Sequence, residues 1–208
     1  MKNIFAVLFI FLIFTMVSGC GGKEKPEDKT TDEQTMDKGN DDAVSQQDNE
    51  VVFENKEPVT PVSFKVLSNY LPKEIEGIKG SEPEGETVTM GEWSYSHSKS
   101  YYNSEDGSKN ASVDVIDYAY VSALYTPYQT LFSMKYQRES SSGYERSTKI
   151  SGYPAFENWD NTDNSNELNV LVGKRFIVHV ETNGMPEGSA KKIAESMNLS
   201  SLSEEQAN

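Results

Sequence analysis

The chain has 208 residues, with 33 acidic against 19 basic side chains for a net charge of −14, two histidines and one cysteine. That balance excludes electrostatic capture of nucleic acid or anionic lipid. A lone cysteine excludes an intramolecular disulfide and a cysteine metal cluster, and two histidines exclude a multi-histidine metal site.

Residues 1–19 have the three parts of an export signal. Lys2 gives a positive start, Ile4 to Val17 is almost wholly apolar, and the small residues Ser18 and Gly19 precede Cys20. A membrane-spanning helix needs ~20 apolar residues, and this run stops short at Gly21 and Gly22. Val17-Ser18-Gly19-Cys20 resembles the bacterial lipobox over all four positions. The resemblance implies cleavage between Gly19 and Cys20 and acyl chains, such as palmitate, on Cys20. Each buried methylene contributes ~0.8 kcal/mol, and more than one chain makes the anchorage stable. Gly21 in place of Asp implies no inner-membrane retention signal, so the expected site is the cell envelope, at the outer membrane where the host has one, with the domain facing the periplasm or the surface.

Residues 20–58 form the lipidated cysteine and an expected disordered linker. Gly21 to Pro58 carries twelve acidic and five basic side chains, a net of minus seven and half the charge of the chain. Such a segment cannot bury enough apolar surface to offset its ordering entropy. Its 38 residues give an r.m.s. span of ~35 Å and an extended limit of ~130 Å, so the domain stands off the bilayer. The acidity suits a cationic partner or simply aids solubility.

Residues 59–202 read as one α+β domain, followed by a flexible tail at 203–208. Thr60-Pro61 reads as an N-cap and first turn, with Phe64, Leu67 and Leu71 at helical spacing before Pro72. Lys73 to Glu86 reads as a loop. In Thr87 to Asn103, Ser94, Ser96, Ser98 and Ser100 fall on one face and Trp93, Tyr95, His97, Lys99 and Tyr101 on the other. A bulge at Gly91 would bring Val88 and Met90 to the side of Trp93 and Tyr95. Asp106-Gly107 signals a hairpin, answered by a strand with Ala111, Val113, Val115, Ala119 and Val121 on one face.

Pro127 is expected to open a second helix, with Tyr128, Leu131, Phe132 and Tyr136. Two strands follow, Tyr144 to Ile150 and Tyr153 to Trp159. Leu168, Val170 and Val172 then alternate, Gly173-Lys174 fits a type II′ turn, and Phe176, Val178 and Val180 answer. Ala190, Ile193, Ala194 and Met197 mark a third helix beginning near Glu187. Strands joined by tight turns and three amphipathic helices give a mainly antiparallel sheet flanked by helices. This element order resembles that of the PsbP/Mog1 group and of domains in uncharacterised bacterial lipoproteins; the resemblance implies a fold and no activity.

No catalytic signature stands out, and no cofactor is implied. His97 and His179 read as structural or solvent-exposed, since neither has the paired Asp and nucleophile of a hydrolase. Asp160 to Glu167 is rich in oxygen side chains. Against the EF-hand loop it has Ser165 where glycine belongs and Leu171 where a bidentate Glu belongs, so it reads as a polar turn rather than a metal site. Asn110-Ala111-Ser112 and Asn198-Leu199-Ser200 match a glycosylation pattern that a bacterial export context makes incidental. A candidate ligand groove rests on Trp93, Tyr95, Tyr101, Tyr118 and Tyr120, against the alternative that the tyrosines fill a core. The functional expectation is a non-enzymatic binding or interaction module for an envelope protein or small ligand. The alternatives are an enzyme, such as a hydrolase, with an unrecognised site, or a purely structural envelope protein.

Overall fold

The computed structural model describes residues 56–91 and 93–206. The signal segment, Cys20 and the linker as far as residue 55 lie outside the described residues. The fold class is α+β, mainly an antiparallel sheet with helices.

α1 (Phe64–Leu67) is capped by Ser63, whose hydroxyl accepts from the Lys65 amide, and a 3₁₀ turn over Ser68–Tyr70 follows. Thr60 is therefore not the cap; it and Pro61 lie ahead of the helix. The expected loop beyond Pro72 contains a small hairpin, β1 (Glu74–Ile75) with β2 (Ile78–Lys79). An eight-stranded sheet follows, in the order β3-β4-β5-β10-β9-β8-β7-β6 with every pair antiparallel.

β3 (Glu84–Met90) and β4 (Trp93–Asn103) form a hairpin rather than one bulged strand. Gly91 takes the φ of +58° needed at the first loop position, and Met90 pairs with Trp93. The hairpin brings Val88 and Met90 opposite Tyr95 and Trp93, the facing a bulge would also have given. β5 (Asn110–Asp117) ends before Ala119 and Tyr120, both left-handed, and does not run to Val121.

α2 (Ser122–Ser133) then crosses to the far edge. Pro127 lies inside it instead of opening it, and Tyr136 lies beyond its end. From β6 (Gln137–Ser140) the chain meanders back through β7 (Gly143–Ile150), β8 (Tyr153–Asp160) and β9 (Ser165–Val172) to β10 (Phe176–Asn183), which pairs with β5. The β9–β10 turn has φ of +60° at Gly173 and +57° at Lys174. It is type I′, because II′ would need positive φ at the first position only.

α3 starts at Ser189, two residues after Glu187, and ends at Ser196; α4 (Leu199–Glu204) reaches two residues into the expected tail. Asn198 caps α4 by accepting from the Ser201 amide.

One sheet face carries the main core. Val113, Val115, Leu168, Val170, Phe176, Val178 and Val180 point from the central strands onto Val62, Leu67, Leu71, Ile193 and Leu202 from the covering segments. The serine face of β4 lies on this side: Ser96 and Ser98 are wholly buried. At Ser100 the covering chain comes close: a Cβ on Gly80 would stand 2.9 Å from Ser100 Oγ. A second, smaller core lies on the opposite face, where Phe132 of α2 meets Leu171 and Ile177, with Ile116, Tyr118, Tyr128 and Phe156 around them.

Candidate functional site

The site follows from the register on the face that carries α2. Successive cross-strand rows on one face are two residues apart along each strand. The row beside the helix is apolar from β5 onward: His97, Ile116, Ile177, Leu171. The next is Lys99, Asp114, His179, Asn169. Beyond it come Tyr101, Ser112, Glu181, Glu167 and Asn158, and then Asn103, Asn110 and Asn183. The face thus passes from an apolar, covered end to a polar end.

There a groove of about 420 Å³ is lined by the last two rows and by Ser165. Ala111, Asn166 and Thr182 also border it; strand alternation turns their side chains toward the other face.

A hydrogen-bonded network floors the rim between the groove and α2. His179 Nδ1 lies 2.9 Å from Asn169 Oδ1 and its Nε2 lies 3.3 Å from Glu181 Oε1, so both ring nitrogens face oxygen. Ser112 Oγ donates to Glu181 Oε2 at 3.1 Å, and Asn169 Nδ2 donates to Glu167 Oε1 at 3.1 Å. Burial opposes ionisation of Glu181, but His179, Ser112 and Lys99 outweigh it and hold the carboxyl below its ordinary range. Asp114 moves the other way, pushed up chiefly by burial against the pull of His97 and Lys99. His97 Nδ1 stands 3.4 Å from Asp114 Oδ1, without hydrogen-bond alignment.

This order of contacts is not that of a nucleophilic site. The Glu181 carboxylate stands between the Ser112 hydroxyl and the His179 ring, so the imidazole cannot take the hydroxyl proton directly. Among the described residues no group of three His, Cys, Asp or Glu side chains could hold a metal ion. In the Asp160 to Glu167 segment both aspartates bond the segment's own backbone: Asp160 accepts from the Thr162 amide at 2.7 Å and Asp163 from the Ser165 amide at 3.1 Å.

The five aromatic residues of the expected groove do not meet in one cleft. Tyr101, 41% exposed, lines the groove. Trp93, 52% exposed, sits at the tip of the β3–β4 hairpin, and Tyr95 donates to Glu86 at 2.7 Å. Tyr118 packs on Tyr128 of α2 with ring centroids 5.7 Å apart. Tyr120 lies between Lys56 and Arg175, whose cationic groups are 4.8 and 5.8 Å from its ring centre. The lipidation position Cys20 lies outside the described residues.

Sequence reasoning missed the asparagines. Asn103 and Asn110 bracket the β4–β5 turn and Asn183 precedes Gly184, so each reads as a turn former. The available signal was their placement two residues beyond Tyr101, Ser112 and Glu181, on the same strand faces.

Comparison with known protein families, curated proteins and solved structures gives no match.

Proposed function

We propose that the protein is a non-enzymatic binding module of the cell envelope, held to a membrane by acyl chains on Cys20 and carrying its ligand in the polar groove of its sheet. The observation that carries this reading is the 420 Å³ groove on the part of the face beyond α2, a volume within the range of ~300–1,000 Å³ typical of ligand sites. The order Ser112, Glu181, His179 supports binding over nucleophilic chemistry. The lipobox supports the anchor, and the acidic linker supports a reach of tens of ångströms.

Crosslinked envelopes from cells making the wild-type chain, a Cys20→Ala chain and an Asn110→Thr chain test it. A component retained by the wild type and lost with Asn110→Thr is expected, together with release of the Cys20→Ala chain from membranes. Equal retention by the wild type and the groove variant overturns the reading.

A further inference from the structure

We infer that the groove binds an uncharged saccharide through a ladder of asparagine amides and the ring of Tyr101; this rests on the binding-module reading above. Asn110 of β5 pairs directly with Asn103 of β4 on one side and with Asn183 of β10 on the other. Neighbouring strands lie ~4.8 Å apart, so three amides cross the groove in one row. Asparagine is depleted in strands because it packs poorly on a pleated surface, and three abreast call for a reason.

For Asn103 and Asn110, turn formation is not that reason. The β4–β5 turn is held by Ser104, Asp106 and Ser108: Ser108 N donates to Asp106 Oδ1 at 3.0 Å, and Lys109 N donates to Ser104 Oγ at 3.0 Å. None of the amide side chains of Asn103, Asn110 and Asn183 enters a hydrogen bond within the described residues, whereas Asn169 and Asn166 are engaged. The ladder is therefore a row of free groups at a concave surface.

The chemistry of these groups selects the ligand. A carboxamide sets one acceptor beside two donors. A hydroxyl also both donates and accepts, so a polyol satisfies both ends of each amide. An anion would use only the NH₂ groups and meet Glu167 and Glu181, with no lysine or arginine lining the groove. A cation would use the carbonyls and leave every amide NH₂ unpaired, and the Glu181 and Glu167 carboxylates it would meet already accept from Ser112 and Asn169. A peptide adding as a strand needs a free sheet edge, and β4, β5 and β10 are paired on both sides. Tyr101 supplies a platform for the C–H face of a sugar ring, with Lys99 Nζ 5.1 Å from its ring centre.

The test uses the full-length chain in detergent, titrated by calorimetry and saturation-transfer NMR with the N-acetylglucosamine tetrasaccharide and maltotetraose, and sedimented with insoluble peptidoglycan. Spermidine and glucose 6-phosphate serve as charged probes. The expected result is a Kd of ~1 mM or tighter for a neutral tetrasaccharide, or retention on peptidoglycan. Asn110→Thr and Tyr101→Ala are each expected to weaken it ~10-fold or more, with the Asn110→Thr melting temperature equal to or above wild type because threonine suits a strand better. Asn183→Ser repeats the test at a position at the strand end.

Retention on peptidoglycan alone identifies an envelope glycan as the source, and soluble binding alone a free sugar. Binding that survives all three substitutions, a preference for either charged probe, or no binding to any neutral probe overturns the inference. Should that occur while the envelope experiment still gives an Asn110-dependent component, the module reading stands and only the ligand class falls.

Discussion

Arg175 closes on Asp117 in a bidentate pair, Nε to Oδ1 at 2.9 Å and Nη2 to Oδ2 at 2.6 Å, with Asp117 wholly buried. Asp117 also accepts from the Val62 and Ala119 amides at 2.7 and 2.8 Å, while Arg175 Nη2 donates to the Thr60 carbonyl at 3.1 Å. Nη1 lies 3.5 Å from the Glu205 carbonyl, and the guanidinium is 5.0 Å from the Phe176 ring centre. One pair thus ties the segment before α1, the end of β5, the β9–β10 turn and the chain beyond α4.

Breaking one side of such a pair costs ~3–5 kcal/mol, because the remaining charge stays buried. Asp117→Ala should cost more than Arg175→Met, since it also orphans two backbone amides, whereas Asp117 without Arg175 keeps both. Urea unfolding of the two variants checks this order. Equal losses, or losses near zero, contradict the clasp.

Asp114 links pH to stability. Its carboxyl is raised by burial, so it holds its proton more tightly in the fold than in the unfolded chain. The stabilisation is full below the unfolded pKa and is lost as pH rises through the folded value. Asp114→Asn stays neutral throughout. It should melt higher than wild type at neutral pH and lose that advantage below the ordinary carboxylate range. A lower melting point at neutral pH contradicts this.

The buried serines of β4 should respond in opposite directions. Ser98 Oγ is buried without a hydrogen-bond partner, so Ser98→Ala removes an unsatisfied group and should stabilise by ~1 kcal/mol. Ser96 Oγ is 2.9 Å from Thr87 Oγ1 and donates to the Glu86 carbonyl at 3.1 Å. Ser96→Ala should therefore destabilise by ~1 kcal/mol. Denaturant midpoints that move the same way for both variants would refute the distinction.

Much of the fold was legible where periodicity and turn chemistry agree. Leu168 to Val172 and Phe176 to Val180 alternate around Gly173-Lys174, and the structure pairs them as a hairpin, though with a type I′ turn because Lys174 also takes positive φ. β6 was not legible: Gln137 to Ser140 is wholly exposed and shows no alternation. Pro127 misled because proline is favoured in a first turn, while here it lies in the interior of α2. The facing of β4 could not be read from aromatic content, since Ser96, Ser98 and Ser100 are buried on the inner side while Trp93 and Tyr101 are exposed on the other.

For the site, Tyr101 was visible and the asparagine ladder was not. Its members are far apart in the chain, and only the register of β4, β5 and β10 brings them together.

A photoreactive residue at position 165, which lines the groove outside the asparagine ladder, in the full-length protein in living cells, tests most directly that this groove is where the protein binds. Light should give an adduct from position 165 that is absent with the same residue at exposed Lys65 of α1, and that disappears when Asn110→Thr is added. The same adduct from both positions, or none from 165, would contradict the account.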